Sequence, residues 1–331
     1  MSARRVSAGP SSDQSGHGRR RIPPNFFSIC IGLAGLADAW RGAVGLLGTP
    51  EQVADTLYAV AAVVWLALVI AYLGQGWRQV MADLRDPVLS PFVPLAVITP
   101  LILATALTTA AFTAARVLVV IFLVLTIAIG GWLTGQWIAG RLDLDSVHPG
   151  YFLPTVAGGL LGAFAAATVH LHAVAEASFG IGISCWLLLS SVLLGRLFFR
   201  PMLPAALVPT LAIEITPPVI AGIAYFEITG GRIDFIARAL AGYAILMALV
   251  QLRFIPLYAR LAFTPGFWAF TFAYAAAALD SLLWLTYTRP AGARAYGVCV
   301  LALITILLAG IAARTLVAIK RHEFFPPSGR A

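Results

Sequence analysis

Charge is what this 331-residue sequence has least of: 11% of its residues are Asp, Glu, Lys or Arg, against 60% that are hydrophobic. A soluble domain carries about a quarter charged residues, so a soluble globule is excluded. Cysteine is also scarce, with Cys30, Cys185 and Cys299 each in an apolar stretch and in no paired spacing. That odd, unpaired set excludes a disulfide framework and a cysteine metal site, and the three thiols read as small core residues. There is no HExxH, no GxSxG and no Gly-rich nucleotide loop, so hydrolytic or redox catalysis has no motif to stand on. No enzyme activity, cofactor or metal is expected. His170 and His172, with Glu176 beyond them, read as a helix end, and Asp143, Asp145 and His148 as a solvated turn. The formal charge of +8 comes without a basic, aromatic-interleaved soluble module, which removes nucleic acid as a partner.

What the chain has is apolar runs of spanning length. Ten are predicted, at 25–46, 53–74, 91–111, 115–139, 149–170, 174–195, 204–227, 235–257, 264–287 and 293–318. They define an all-α polytopic membrane protein, with a transmembrane domain over 23–319. A disordered basic tail over 1–22 precedes it and a short tail over 320–331 follows. Short connections make consecutive helices antiparallel hairpins. Counting basic residues puts Arg78, Arg85, Arg141, Arg196, Arg200, Arg253, Arg260 and both tails on one side, which the positive-inside rule makes cytoplasmic.

The spans alternate in kind. Odd-numbered spans open on prolines (Pro24, Pro94, Pro154, Pro209 and Pro265, with Pro217 and Pro218 inside the seventh) and are rich in Gly and Ala, whereas even-numbered spans are Val, Leu and Ile. Prolines and small residues suit helices buried in protein; bulky aliphatics suit a lipid-facing surface. The expected architecture is five hairpins with the odd helices inside, around a central pore. The ninth span, Thr264 to Leu285, reads as a pore-lining helix, because its run Ala275 to Ala278 leaves little side chain on any face and lets neighbouring backbones approach.

Ionisable residues inside the spans are costly and face protein or water. Asp38 and Arg41, three apart, read as a local ion pair. Arg238 is expected to partner Asp280 across the bundle. Glu214 lies near the middle of the seventh span, and it is either structural or a proton-coupling group.

Four pieces in order carry a family resemblance: Pro23-Pro24 with Gly32, Trp40 and Arg41; His148-Pro149-Gly150-Tyr151-Phe152-Leu153-Pro154; Pro209 to Glu214 with Pro217-Pro218; and Phe267-Trp268-Ala269-Phe270-Thr271-Phe272. Together they resemble the tellurite-resistance/dicarboxylate transporter family, which includes the slow-type anion channels of plant guard cells. The resemblance implies ten helices around a central pore, a homotrimer, small anions as cargo and, for a bacterial member, an inner-membrane location. It selects Phe272, four residues after Trp268, as the ring that plugs the pore. Phe270, about 200° away around the helix, then points into helix packing. Phe272 stands about 12 Å past Thr264, near the middle of a core about 30 Å thick. Two functions stay open: an anion channel gated by Phe272, and a proton-coupled exporter of a C4-dicarboxylate, sulfite or tellurite-type oxyanion that uses Glu214.

Overall fold

A computed structural model of the chain describes residues 21–140 and 142–325. Most of the expected basic tail, Arg141 and the last six residues therefore lie outside the described residues. Within them every regular element is helical. Eleven helices follow one another: α1 Phe27–Leu47, α2 Glu51–Leu73, α3 Trp77–Arg85, α4 Leu95–Thr105, α5 Phe112–Ala139, α6 Gly158–Thr168, α7 His172–Phe199, α8 Thr216–Thr229, α9 Phe235–Tyr258, α10 Trp268–Thr288 and α11 Ala293–Lys320.

Among the described residues nine helical segments are long and apolar enough to cross a membrane. The expected third span is the exception, since α4 has 11 residues, or about 16 Å of rise. A 110° bend separates the segment Ser90–Thr105 from α3, and the two pass as a tenth span only if taken together. The apolar run at 91–111 looked continuous in sequence, but Pro91 and Pro94 start it late and the backbone turns out of the helix after Thr105.

Burial separates two classes of helix. The apolar windows of the segments ending in α1, α6, α8 and α10 are between 50% and 89% buried, whereas those of α2, α5, α7, α9 and α11 are between 17% and 28% buried. The bulky aliphatics therefore face outward, as their composition requires. The inner helices contact one another in cyclic order, α1 to α4, α4 to α6, α6 to α8, α8 to α10 and α10 back to α1, and each packs on the outer helix that follows it.

Proline shapes how the inner helices begin. Pro24 opens a tight 3-10 turn ahead of α1, Pro94 stands just before α4, and Pro265 opens the turn ahead of α10. Pro154 lies in a widened turn, Leu153–Ala157, before α6, and Pro209 lies in an eight-residue 3-10 segment, Val208–Ile215, before α8. Pro217 and Pro218 then occupy the first turn of α8, where a missing N–H costs nothing. Because proline cannot donate to the preceding turn, the helical ladder tightens or widens there.

α1 and α10 pack closely, with glycines of α1 against α10. A Cβ at Gly32 would lie 1.9 Å from Thr271 Oγ1, and one at Gly35 would lie 3.2 Å from Ala275 Cβ. The alanines of the ninth span thus meet glycines of the first. Two indole N–H groups tie this pair to α11, Trp40 donating to Thr305 Oγ1 at 3.1 Å and Trp268 to Thr315 Oγ1 at 2.9 Å. At the side where α1 begins, Arg21 pairs with the buried Asp83 at 2.6 Å, and Phe324 packs on Phe26 with ring centroids 5.1 Å apart.

Candidate functional site

Two cavities lie between the inner helices, one toward each end. The nearer, on the side where α1 begins, is about 370 Å³ and is lined by Asn25, Ser28, Phe92, Thr210, Pro265 and Ala269, among others. The farther is about 250 Å³ and takes residues from every inner helix, including Gly42 of α1, Thr105 of α4, Phe164 of α6, Ile223 of α8 and Leu279 of α10.

The two cavities share one face of α10. Ala269 lines the near cavity, and Leu279 and Leu283 line the far one. At 3.6 residues per turn, Ala269, Phe272, Ala276, Leu279 and Leu283 fall within about 80° of one another. Phe272 therefore stands between the two cavities on the face that lines both. Its side chain is 8% exposed, and Gly35 of α1 makes room for it: a Cβ there would come 3.1 Å from Phe272 Cδ2. Phe270 points the other way, with its ring 4.8 Å from Tyr258, 5.5 Å from Phe267 and 6.0 Å from Tyr274.

Asp38 and Arg41 do not form the local ion pair expected from their spacing. Asp38 accepts a hydrogen bond of 2.5 Å from Tyr58 of α2. Arg41 turns instead to the exposed carboxylates at the start of α2, pairing with Asp55 and, at 3.4 Å, with Glu51. Asp38 is buried against α2, where Tyr58 supplies its donor, whereas Arg41 lies within reach of solvent and of the exposed carboxylates there. Both line the far cavity with Tyr58.

The expected pair of Arg238 and Asp280 does not form either. They line one lateral cavity of about 640 Å³ but make no ion pair within 4 Å. Asp280 is turned toward α8, where its Oδ1 lies against Gly222: a Cβ on that residue would come within 2.6 Å. Arg238 is exposed on the first turn of α9. Glu214 is buried, and its Oε1 has no hydrogen-bond partner among the described residues. Tyr243 and Tyr258 of α9 are its electrostatic neighbours. With three residues per turn in a 3-10 segment, Glu214 sits about a third of a turn from Thr210, the residue of its segment that lines the near cavity.

Among the prolines, Pro265 lines the near cavity, and the others shape the backbone breaks already described. His148 is not in a solvated turn. It is fully buried, stacked on Phe92 at 5.4 Å, with Nδ1 accepting from the Gly150 amide at 3.2 Å and Nε2 placed 3.1 Å from the Val88 carbonyl. That arrangement fits a neutral ring with its proton on Nε2. Burial, reinforced by the charge of Arg196, pushes its pKa down to about 4 although the Val88 carbonyl opposes the shift. Asp143 and Asp145 are exposed as expected, and Cys299 is exposed on α11 rather than in a core. Among the described residues no group of three or more His, Cys, Asp or Glu stands close enough to hold a metal.

Gly35, Ala269 and Tyr58 escaped the sequence reading. The spacing Gly32, Gly35, Gly42 in α1, facing small residues of α10, is the signal that would have found the first. Tyr58 had none, because its partner lies in a different helix.

Apolar inner helices around two axial cavities, ringed by outward-facing aliphatics, define a multi-pass membrane protein. The profile of the voltage-dependent anion channel family (SLAC1) matches residues 21–316, and the chain belongs to that family. It is also 29% identical over 261 residues to the tellurite resistance protein TehA homolog of Haemophilus influenzae, a match covering 78% of this chain and 79% of that protein.

Proposed function

We propose that the protein passes small anions across a bacterial inner membrane through the axis of its inner helices, with the Phe272 ring closing the path between the two axial cavities. The observation that carries this reading is the shared face of α10, which puts a large ring between two lined spaces. Family membership supports anions as the cargo. In this reading α3 and α4 together complete a tenth span, the spans form five hairpins, and three copies assemble with both chain termini in the cytoplasm.

The axial cavities carry no unneutralised ring of cations, since Arg41 is engaged by Glu51 and Asp55. Selection then rests on the positive ends of the inner helices, all of which begin on the near side. A dry aromatic constriction adds a dewetting barrier to the steric one. Such a pathway reads charge and size rather than the identity of the anion.

The second reading is a proton-coupled exporter of a C4-dicarboxylate, sulfite or tellurite-type oxyanion. The relative's name and the buried, unpartnered Oε1 of Glu214 favour it. Reversal potentials in reconstituted bilayers separate the two. Passive current that follows the anion gradient supports the channel; flux that requires a pH gradient replaces it with the exporter.

A further inference from the structure

A separate cavity lies away from the axis, between α9, α10 and α11. It is an open groove of about 570 Å³ whose walls include Ile255, Phe267, Phe270, Tyr274 and Gly310, with Arg314 at one end. Its polar atoms are already engaged. The Gln251 carboxamide oxygen accepts from Tyr258 at 2.9 Å and from Tyr274 at 3.0 Å, while its Nε2 donates to the Leu211 carbonyl at 3.0 Å. An occupant of the interior therefore needs hydrocarbon, not hydrogen-bonding groups.

The mouth has the opposite character. Arg314 also lines an adjoining cavity of about 360 Å³, together with Arg321 and Glu323. Neither arginine makes an ion pair within 4 Å among the described residues, so two guanidinium groups face one carboxylate. On α11 the groove runs from Ile306 to Arg314, about 12 Å along the helix, close to the roughly 15 Å depth of one leaflet. Arg314 lies on the outer surface, about 9 Å before the end of α11 at Lys320. A cation at that depth in a lipid-facing wall is costly without a counter-charge, and a phosphate suits the guanidinium fork.

We propose that this groove binds an anionic phospholipid, with one acyl chain along Phe267, Phe270 and Gly310 and its phosphate on Arg314 and Arg321. Charge and shape argue for lipid over a second copy of the chain, since an apolar slot open to the leaflet and ending in a net positive mouth matches one tail under one phosphate. The site rests on the membrane reading alone and not on the axial pathway, so its failure would leave the anion-flux assignment untouched.

Native mass spectrometry of the detergent-purified chain tests it, with phosphatidylglycerol or phosphatidylcholine of identical acyl chains added. The parent should retain one phosphatidylglycerol per chain, about tenfold better than phosphatidylcholine. Arg314→Gln should remove that preference. Gly310→Leu should lower retention of both lipids while thermal melting stays within a few degrees of the parent, because nothing lies within 4 Å of a Cβ at Gly310. Equal retention of the two lipids by the parent would overturn the proposal whatever the variants do. So would phosphatidylglycerol binding that survives both substitutions, or a Gly310→Leu protein that loses oligomers and keeps its lipid, which would make the groove a contact between copies.

Discussion

The ring of Phe272 on α10 lies against Gly35 of α1, where a Cβ would approach its Cδ2 to 3.1 Å. One ring fits between the two axial cavities because the residue facing it has no side chain.

If that ring is the closure, removing it opens the path. Phe272→Ala is expected to raise anion current in planar bilayers well above the parent. Phe270→Ala, which empties an aromatic cluster on the opposite face, should leave current low and cost about 3 kcal/mol of stability. A well-folded Phe272→Ala protein with parental current would remove the gate assignment, and a large current from Phe270→Ala would move it to the other face.

Close packing of α1 on α10 makes Gly32 and Gly45 unequal. A methyl at Gly32 meets Thr271 at 1.9 Å, whereas one at Gly45 meets nothing within 4 Å. Gly32→Ala should destabilise by about 1–3 kcal/mol through overpacking, and Gly45→Ala should be neutral or stabilising by up to about 1 kcal/mol. Melting temperatures in one detergent compare them directly; equal shifts would contradict the packing.

The Asp38 carboxyl is hydrogen-bonded to a phenol and makes no ion pair with the neighbouring arginine. Tyr58→Phe strands that carboxylate in a buried site and should cost about 1–3 kcal/mol. Arg41→Ala breaks exposed ion pairs and a contact with the Tyr58 ring, 5.9 Å from its centroid, and should cost about 1 kcal/mol or less. Thermal unfolding that ranks Arg41→Ala as the worse of the two would restore the ion pair suggested by the spacing.

His148 makes stability depend on pH. Its folded pKa, pushed down to about 4 by burial, lies below the ordinary value near 6.5. Between those values the unfolded chain binds a proton that the folded chain refuses, so stability is full above about pH 6.5 and falls as pH drops toward 4. The loss is on the order of 3 kcal/mol. Melting measured across that window should show the decline, and His148→Phe should flatten this component; an unchanged slope in the variant would mean that other groups produce it.

Glu214→Gln tests the exporter. For the channel, the variant keeps the parental dependence of flux on pH, since Glu214 stands off the line of residues facing the near cavity. Loss of pH-driven flux from a folded Glu214→Gln protein would make this carboxyl the coupling site.

How far the sequence could be read depends on what each feature needs. The alternation of proline- and glycine-rich spans with aliphatic ones is a composition signal, and it located the inner and outer helices before any contact was known. Even so, the run at 91–111 read as one continuous span, whereas its α-helix covers only 11 residues, since hydropathy does not see where a helix starts and stops. Spacing failed for Asp38 and Arg41 because it describes one helix, while Tyr58, Glu51 and Asp55 come from the next. His148 looked like loop chemistry, and the stacking of Phe92 upon it has no trace in the local sequence.

Sequence alone determined that the chain lives in a membrane, which helices are buried and, through the resemblance in the ninth span, which phenylalanine to examine. Apolar length and small-residue content are local properties, so they survive without coordinates. Tertiary structure decided the partners: Gly35 beneath Phe272, Tyr58 on Asp38, Gly222 against Asp280, and the groove that ends at Arg314. Each depends on where a second or third helix passes, and that is set by packing the whole ring together rather than by any single stretch of residues.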